Sequence, residues 1–272
     1  MSTVVIKPTK GWVRLGLGDL WTYRELLYFL VWRDVKVRYK QTALGAAWAL
    51  IQPFMLMIVF SIFLGKLAKV PSDGLPYPVF AYAALVPWTL FAQSLAGASN
   101  SLVGSSNLIS KVYFPRLALP LAAVGSFLID FVIAMALLIA MMFYYGITPG
   151  IEIFWTIPLT LLALLASLSV GVWLAALNVR YRDVIYAIPF LIQLWLFASP
   201  VAYPSSIVPI AWRGLYGLNP MAGVVEGFRW ALLGTNTKPG GLVLVSGLTS
   251  FVVLIAGLAF FKRTEKTFAD VI

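Results

Sequence analysis

The sequence predicts an all-α integral membrane protein of six transmembrane helices, with an N-terminal amphipathic interface helix and short re-entrant external helices between spans 5 and 6. Of the 272 residues, 61% are hydrophobic and only 11% are charged, so a water-soluble fold would have too little polar surface. Apolar stretches of about 20 residues recur along the chain, and each is long enough to cross a hydrocarbon core of roughly 30 Å. One membrane domain follows from these observations.

The N-terminal residues 1–43 are predicted to be a polar start followed by a helix that lies in the membrane interface. An apolar face and a basic face alternate there at helical spacing. A soluble basic tail is the alternative, but the direct run into a membrane span favours the interface. The apolar face consists of Tyr23, Leu26, Leu27, Leu30 and Val31, and the basic face of Arg33, Lys36 and Lys40.

Basic residues predict the topology. With alternate loops on opposite sides, 15 of the 20 Lys and Arg residues fall on the side of both termini and 5 on the other, which places both termini in the cytoplasm. The net charge of +10 therefore reflects topology and not binding to nucleic acid. The inner set includes Lys7, Lys10 and Arg14, and the outer set is Lys66, Lys69, Arg213, Arg229 and Lys238. The predicted spans are 44–64, 79–103, 117–145, 153–177, 184–199 and 241–261, which gives a membrane domain at 44–262 and a cytoplasmic tail at 263–272.

Residues 200–240, between spans 5 and 6, are apolar but repeatedly broken by proline, which excludes one continuous helix. Asn219 followed by proline predicts a helix near 220–233, with Glu226 and Arg229 at i, i+3. Two short helices that dip into the outer leaflet would keep the aromatic side chains of this segment out of water. Those side chains are Tyr203, Trp212, Tyr216, Phe228 and Trp230.

Two predicted spans carry polar and aromatic side chains on one face. Such faces suit a conduit for a glycan, because sugar rings offer C–H faces to aromatic rings and hydroxyls to amides. Helix packing with glutamine-mediated hydrogen bonds explains the same spacing, and both interpretations stay open. The face in span 1 is Trp48, Gln52 and Met55, and the face in span 5 is Tyr186, Phe190, Gln193 and Phe197.

The chain offers little that could catalyse a reaction. Cysteine and histidine are both absent, which excludes disulfides, thiol nucleophiles and Cys/His metal sites. No GxxxxGK[ST] phosphate loop is present, so any energy from ATP would have to come from another protein. Asp130 is the one acid placed centrally in a predicted span, and a functional role or a hydrogen bond to a neighbouring helix would each account for it. We expect no catalytic residue, metal or cofactor in this chain.

Four segments together carry a family resemblance over nearly the whole chain. They read WRDVKVRYKQTALGAAWALIQP at 32–53, NLISKVYFPRLALP at 107–120, NVRYRDV at 178–184, and SPVAYP to LNPMAGVVEGFRWALLG across 199–234. They resemble the membrane subunits of type-2 ATP-binding-cassette exporters, particularly those for O-antigen, teichoic acid and capsule polysaccharides. The resemblance implies a homodimer in the cytoplasmic (inner) membrane of a bacterium, joined to two copies of a separate ATPase that holds ATP and Mg, and moving a lipid-linked polysaccharide outward.

The resemblance also implies roles for particular residues. Spans 1 and 5 would face the translocation path. The segment between spans 2 and 3 would couple to the ATPase through Asn107, Ser110, Lys111, Tyr113 and Arg116. An external gate would include Tyr203, Glu226, Arg229 and Trp230. Independently of the resemblance, cationic side chains bind phosphate, so a lipid pyrophosphate is predicted to enter at the cytoplasmic basic cluster; topology and anionic lipids account for the same residues equally well. The cluster consists of Arg33, Arg38, Lys40, Arg180 and Arg182.

Three other functions compete with polysaccharide export. A type-2 permease for a drug or a lipid could use a similar aromatic path. A membrane enzyme acting on polyprenyl phosphates would need metal-binding acids or a general base, for which the ten acidic residues offer no clear set. A passive channel would need a ring of charge or a repeated filter sequence, and the spans contain neither.

Overall fold

The computed structural model describes residues 17–40, 45, 47–235 and 238–268. All regular secondary structure in these ranges is helical, and no strand occurs in them, which confirms the all-α prediction. Most of the predicted polar start lies outside the described residues, as do position 44 of span 1 and the end of the predicted tail. The predicted residues concerned are Lys7, Lys10 and Arg14, together with 269–272 of the tail.

The described residues form twelve α-helices. The helix before the first span and the helix after Asn219 both agree with the sequence predictions. The helices are α1 Leu17–Thr22, α2 Arg24–Lys40, α3 Ala47–Phe60, α4 Tyr77–Asn100, α5 Ser106–Lys111, α6 Ala118–Ser126, α7 Leu128–Tyr144, α8 Thr156–Arg180, α9 Val184–Ala198, α10 Ile210–Tyr216, α11 Pro220–Leu233 and α12 Gly240–Thr264.

Five helical segments in the described part of the chain are long and apolar enough to cross a membrane. They correspond to predicted spans 1 to 4 and 6. The fifth predicted span is α9, which is apolar but has only 15 residues and therefore a length of about 22 Å, short of a typical hydrocarbon core. The five long segments are Ala47–Leu67, Tyr77–Asn100, Ala118–Tyr144, Ile151–Arg180 and Gly240–Thr264.

Span 3, predicted as one helix, is two helices joined at Phe127. Gly125 and Ser126 precede the joint, and such pairs are a common cause of helix kinks. The Phe127 ring packs against α4 so closely that a Cβ on Gly97 would lie 2.6 Å from it. Because of the joint, α6 packs against α2 whereas α7 packs against α3.

The central helix of the bundle is α4, which packs against α3, α6, α7, α8, α9 and α11. Small residues allow close approach of neighbouring helices, as is usual inside membranes. A Cβ on Gly171 of α8 would lie 2.8 Å from the Ala98 Cβ of α4, and one on Gly223 of α11 would lie 2.8 Å from the Val243 Cα of α12. The interhelical core therefore depends on the absence of side chains at these positions.

A separate apolar cluster closes the end of the bundle that carries α2 and α5, which we call the basic end. It joins Leu30 of α2, Ile109 of α5, Phe114 and the C-terminal Phe268. The other side of α2 leaves Tyr28, Phe29 and Trp32 exposed, so this helix is apolar both towards the bundle and away from it. Such a helix suits a membrane interface.

Candidate functional site

The span 1 residues predicted to line a path lie on the surface of the single chain. Trp48 and Met55 of α3 are 56% and 52% exposed. Gln52 is also exposed, and its Oε1 accepts a 3.2 Å hydrogen bond from Nε2 of Gln93 on α4. Gln52 therefore makes one interhelical hydrogen bond, and its exposed side chain remains available to a conduit together with Trp48 and Met55.

The span 5 residues predicted to line a path are exposed as well. Only Ile188 and Leu196 of α9 are buried, and the helix packs chiefly on α4 and α8. Most of its apolar surface is therefore free to meet lipid or another protein surface. The exposed predicted residues are Tyr186, Phe190, Gln193 and Phe197.

Two adjoining clefts at the basic end share part of their lining. The larger cleft, of about 540 Å³, lies between α2, α4 and α6. The smaller cleft, of about 390 Å³, lies beside α3. Arg38, Gly97, Asn100 and Phe127 line both clefts and so stand between them. The larger cleft is also lined by Arg33, Asp34, Ser101, Ser105 and Ser126, and the smaller cleft by Tyr39, Trp48, Gln52, Gln93 and Asp130.

Span 3 holds the Arg38 guanidinium through several contacts. Nη1 donates to Asp130 Oδ2 at 2.7 Å and to the Ser126 carbonyl oxygen at 3.4 Å, and Nη2 donates to Ser126 Oγ at 2.9 Å. The guanidinium also lies 3.8 Å from the centre of the Phe127 ring. The side chains of Arg38 and Asp130 are 28% and 11% exposed, so the ion pair is largely removed from water.

Tyr39 provides a second bond between α2 and Asp130, because its hydroxyl donates to Asp130 Oδ1. Burial, followed by this hydrogen bond, raises the pKa of Tyr39 to about 12. The hydroxyl therefore stays protonated at neutral pH and remains a donor. Asp130 thus hydrogen-bonds a neighbouring helix, one of the two roles considered from the sequence, and joins α2 to span 3.

The five predicted pyrophosphate-binding residues do not all line one cleft. Arg33 and Arg38 line the larger cleft. Arg182 instead lines a cleft of about 370 Å³ near the α8–α9 turn, together with Tyr186. Lys40 and Arg180 are exposed at the ends of α2 and α8. The residues therefore divide between different parts of the basic end.

The segment predicted to couple to an ATPase is mounted on the apolar cluster of the basic end. Ile109 and Phe114 are buried there, and Tyr113 between them is 92% exposed. Arg116 turns away from the exposed edge, because its Nη1 donates to the backbone oxygen of Glu265. The other predicted members, Asn107, Ser110 and Lys111, are exposed.

Arg229 is completely enclosed at the opposite end of the bundle. Its side chain is 1% exposed, and Nη1 donates to Glu226 Oε1 at 3.0 Å, which confirms the predicted i, i+3 pair. Nη1 also donates to the Pro200 and Tyr203 carbonyls, Nη2 to the Val201 carbonyl and Nε to the Phe80 carbonyl. The guanidinium lies 3.6 Å from the centre of the Phe80 ring. The backbone acceptors are Pro200 at 2.6 Å, Val201 at 2.7 Å, Tyr203 at 3.2 Å and Phe80 at 3.4 Å.

Asn219 connects α9 to α11. Its Oδ1 accepts from the Met221 backbone N–H at 3.0 Å, which caps α11, and from Trp195 Nε1 at 2.9 Å. Its Nδ2 donates to Ser199 Oγ at 2.9 Å. Tyr203 and Trp230 are the predicted gate residues besides Glu226 and Arg229. The Tyr203 hydroxyl accepts a 3.1 Å hydrogen bond from the Tyr216 hydroxyl, and the centres of the Trp230 and Trp155 rings lie 6.2 Å apart.

Sequence reasoning did not find the bonds of Arg38 and Tyr39 with Asp130 or the bond from Arg116 to Glu265. The two residues of each bond are 92, 91 and 149 positions apart in the chain, so no local sequence spacing predicts these bonds. The only available signal was that an acid inside an apolar span requires a partner.

Residues 25–233 match the family model described as ABC-2 type transporter. The chain is 30% identical over 255 residues to the "O-antigen export system permease protein RfbA" of Myxococcus xanthus, covering 93% of this chain and 97% of that protein. It is 27% identical over 261 residues to a Klebsiella pneumoniae protein of the same name, covering 96% and 98%. It is also 23% identical over 243 residues to the "Polysialic acid transport protein KpsM" of Escherichia coli, covering 86% and 91%. The matched range includes both clefts, α5 and Arg229.

Proposed function

The chain belongs to the ABC-2 type transporter family, and we propose that it is the transmembrane permease subunit of an ATP-driven exporter of lipid-linked polysaccharide. It would lie in the cytoplasmic membrane of a bacterium as a multi-pass protein with both termini in the cytoplasm. The names of the relatives favour O-antigen or a polysialic acid as the glycan, and teichoic acid is a further candidate. The permease subunit would catalyse no reaction itself.

The observation that carries the choice of substrate is the pair of exposed aromatic faces on α3 and α9. Trp48, Tyr186 and Phe190 are 56%, 81% and 61% exposed, and Gln52 and Gln193 lie on the same faces. A sugar chain can slide over such a surface, because rings stack on successive aromatic side chains while amides exchange hydrogen bonds with hydroxyls. No single contact would hold the chain in place.

A homodimer would bring two such faces together. Six helices of one chain can hardly enclose a conduit for a hydrated glycan, whereas two sets can share one along a two-fold axis. The sparse packing of α9 within one chain supports this arrangement. In such a dimer, the exposed aromatic faces of the two copies would line the shared path.

The energy would come from two copies of a separate ATPase, which would hold ATP and Mg. The exposed edge of α5, with Lys111 and Tyr113, offers a docking surface at the basic end. Ile109 and Phe114 tie this edge to α6, α8 and α12 through one apolar cluster. Movement of the ATPase subunits would therefore be transmitted to several spans at once.

Deleting the gene and measuring lipid-linked glycan in each leaflet tests this function. We expect glycan to accumulate on the cytoplasmic side, with rescue by this chain only when its ATPase partner is present. Tyr186→Ala with Phe190→Ala should lower export several-fold, because the loss of each aromatic contact removes roughly 1 kcal/mol of favourable interaction. Phe251→Ala is the matched control, since Phe251 is 54% exposed but belongs to α12, which packs chiefly against α8 and α11.

The results also separate the competing functions. Glycan that reaches the surface normally without this chain would exclude polysaccharide export and favour a drug or lipid as the substrate. Loss of glycan synthesis itself would revive the enzyme hypothesis. An equal loss of export in Phe251→Ala and in the α9 double variant would contradict the role of the aromatic face.

A further inference from the structure

Both arginines of the larger cleft are already paired with a carboxylate. Arg33 Nη2 lies 2.8 Å from Asp34 Oδ1, and their side chains are 44% and 25% exposed. Pairs this accessible to water are weak and exchange partners readily. The pair between Arg38 and Asp130 is much less exposed, and lower local dielectric strengthens its attraction. In this cleft, Arg33 is therefore available to a ligand, whereas Arg38 is held by Asp130.

The Arg38 side chain lies in the wall between the two clefts. Ser126 lines only the larger cleft and Asp130 only the smaller one, whereas Arg38 and Phe127 line both. The Arg38 guanidinium bonds to Ser126 Oγ on one side and to Asp130 on the other. Beside Gly97 and Asn100 of α4, the wall therefore consists of an ion pair and one aromatic contact.

We propose that Asp130 and the diphosphate headgroup of the substrate compete for Arg38, so that headgroup binding in the larger cleft withdraws Arg38 from span 3, loosens the contact between α2 and span 3, and joins the two clefts. This inference rests on the proposed function. Diphosphate suits the exchange, because it carries more charge than a carboxylate and its oxygens match the planar fork of arginine. Arg33 would engage the headgroup first, and Arg38 would follow.

Tyr39 makes this exchange reversible. When Arg38 leaves, Asp130 would retain the hydrogen bond from the Tyr39 hydroxyl. A carboxylate that keeps a donor is less costly to leave without its cation. Asp130 would therefore remain in place to recapture Arg38 after the headgroup has moved on.

The affinity of the intact complex for a short polyprenyl diphosphate tests the competition. Geranylgeranyl diphosphate is titrated into the full-length protein bound to its ATPase, in nanodiscs of phosphatidylcholine. Asp130→Asn should bind about tenfold more tightly than wild type, and Arg38→Gln about tenfold more weakly, each a change of about 1.4 kcal/mol. The double variant should match Arg38→Gln alone, because Asp130 acts through Arg38.

Arg33→Gln is the matched control for the cycle. It removes a cation from the same cleft, but one that does not touch Asp130. Combined with Asp130→Asn, it should weaken binding while preserving the tenfold gain. Loss of that gain in the Arg33 background would assign the effect to general charge in the cleft and overturn a specific exchange.

The loosening of α2 from span 3 can be measured directly. The chain contains no cysteine, so Lys36→Cys on α2 and Ile129→Cys on α7 can be spin-labelled selectively. Adding the diphosphate lipid should lengthen the label-to-label distance, and Asp130→Asn should lengthen it without ligand. If Asp130→Asn does not assemble, Ser126→Ala, which removes one contact of Arg38 without changing charge, should tighten binding two- to threefold.

The outcomes distinguish the inference from the proposed function. One outcome overturns the inference but not the proposed export function. In it, Arg38→Gln weakens binding, neither Asp130→Asn nor Ser126→Ala strengthens it, and the label-to-label distance does not change. If the wild type binds no diphosphate lipid and exports no glycan, both fail. Equal competition by phosphatidylglycerol would assign the cleft to ordinary anionic lipid and overturn the inference. Competition by inorganic pyrophosphate, but not by phosphatidylglycerol, would support recognition of the diphosphate.

Discussion

Replacing Arg229 with methionine should destabilise the protein strongly, because it removes the central donor of the turn after α9. The guanidinium makes hydrogen bonds to Glu226 and to four backbone carbonyls. Methionine keeps an apolar stem but has no donor, so Glu226 loses its buried cation and, among the described residues, keeps the bond from the Ser205 backbone N–H at 3.1 Å. Breaking a buried pair in this way costs about 3–5 kcal/mol, which corresponds to a fall of roughly 10 °C in Tm.

Thermal unfolding of the purified protein in one detergent measures this effect. Arg213→Met is the matched control, because Arg213 lies in the same part of the chain but is exposed. Its Tm should stay within about 2 °C of wild type, as for most surface substitutions. An Arg229→Met variant as stable as the control would refute the structural role assigned to the guanidinium.

Two further substitutions test the packing of α11. Gly223→Ala should lower the unfolding free energy by about 1–3 kcal/mol, because its Cβ would lie 2.8 Å from the α12 backbone. Gly247→Ala, whose nearest contact is 3.8 Å away, is the control and should be near neutral in the same thermal assay. A Gly223→Ala variant as stable as wild type would contradict the close approach of the two helices. Asn219→Ala should cost about 2 kcal/mol, because it removes the helix cap and the acceptor of Trp195 Nε1. The exposed Asn107→Ala provides the control, and an equal effect of the two in urea or thermal unfolding would argue against the cap.

Local patterns predicted the helices well. Asn219 before proline marked the start of α11, and the spacing of Glu226 and Arg229 predicted their ion pair, because a helix brings such residues together by geometry alone. The sequence did not reveal that Arg229 also holds the turn after α9. That role depends on carbonyls that become neighbours only in the folded chain.

The joint at Phe127 was missed for a different reason. The apolar run at 117–145 continues without proline, and only the pair Gly125–Ser126 indicates a possible kink. The Phe127 ring packs against Gly97 on α4 at this joint. This contact between two helices is not visible in the local sequence. The ion pair of Arg38 with Asp130 was not predicted for the same reason, since the two residues lie 92 positions apart in the chain.

The shortness of α9 has a consequence for the lipid around it. An apolar helix of about 22 Å in a bilayer core of about 30 Å causes hydrophobic mismatch, and the bilayer adapts by thinning beside the helix. If two copies of α9 flank a glycan path, the membrane would be thinnest where the polar polymer leaves it. The distance over which sugars must be shielded from hydrocarbon would then be set by this 15-residue helix rather than by the bilayer.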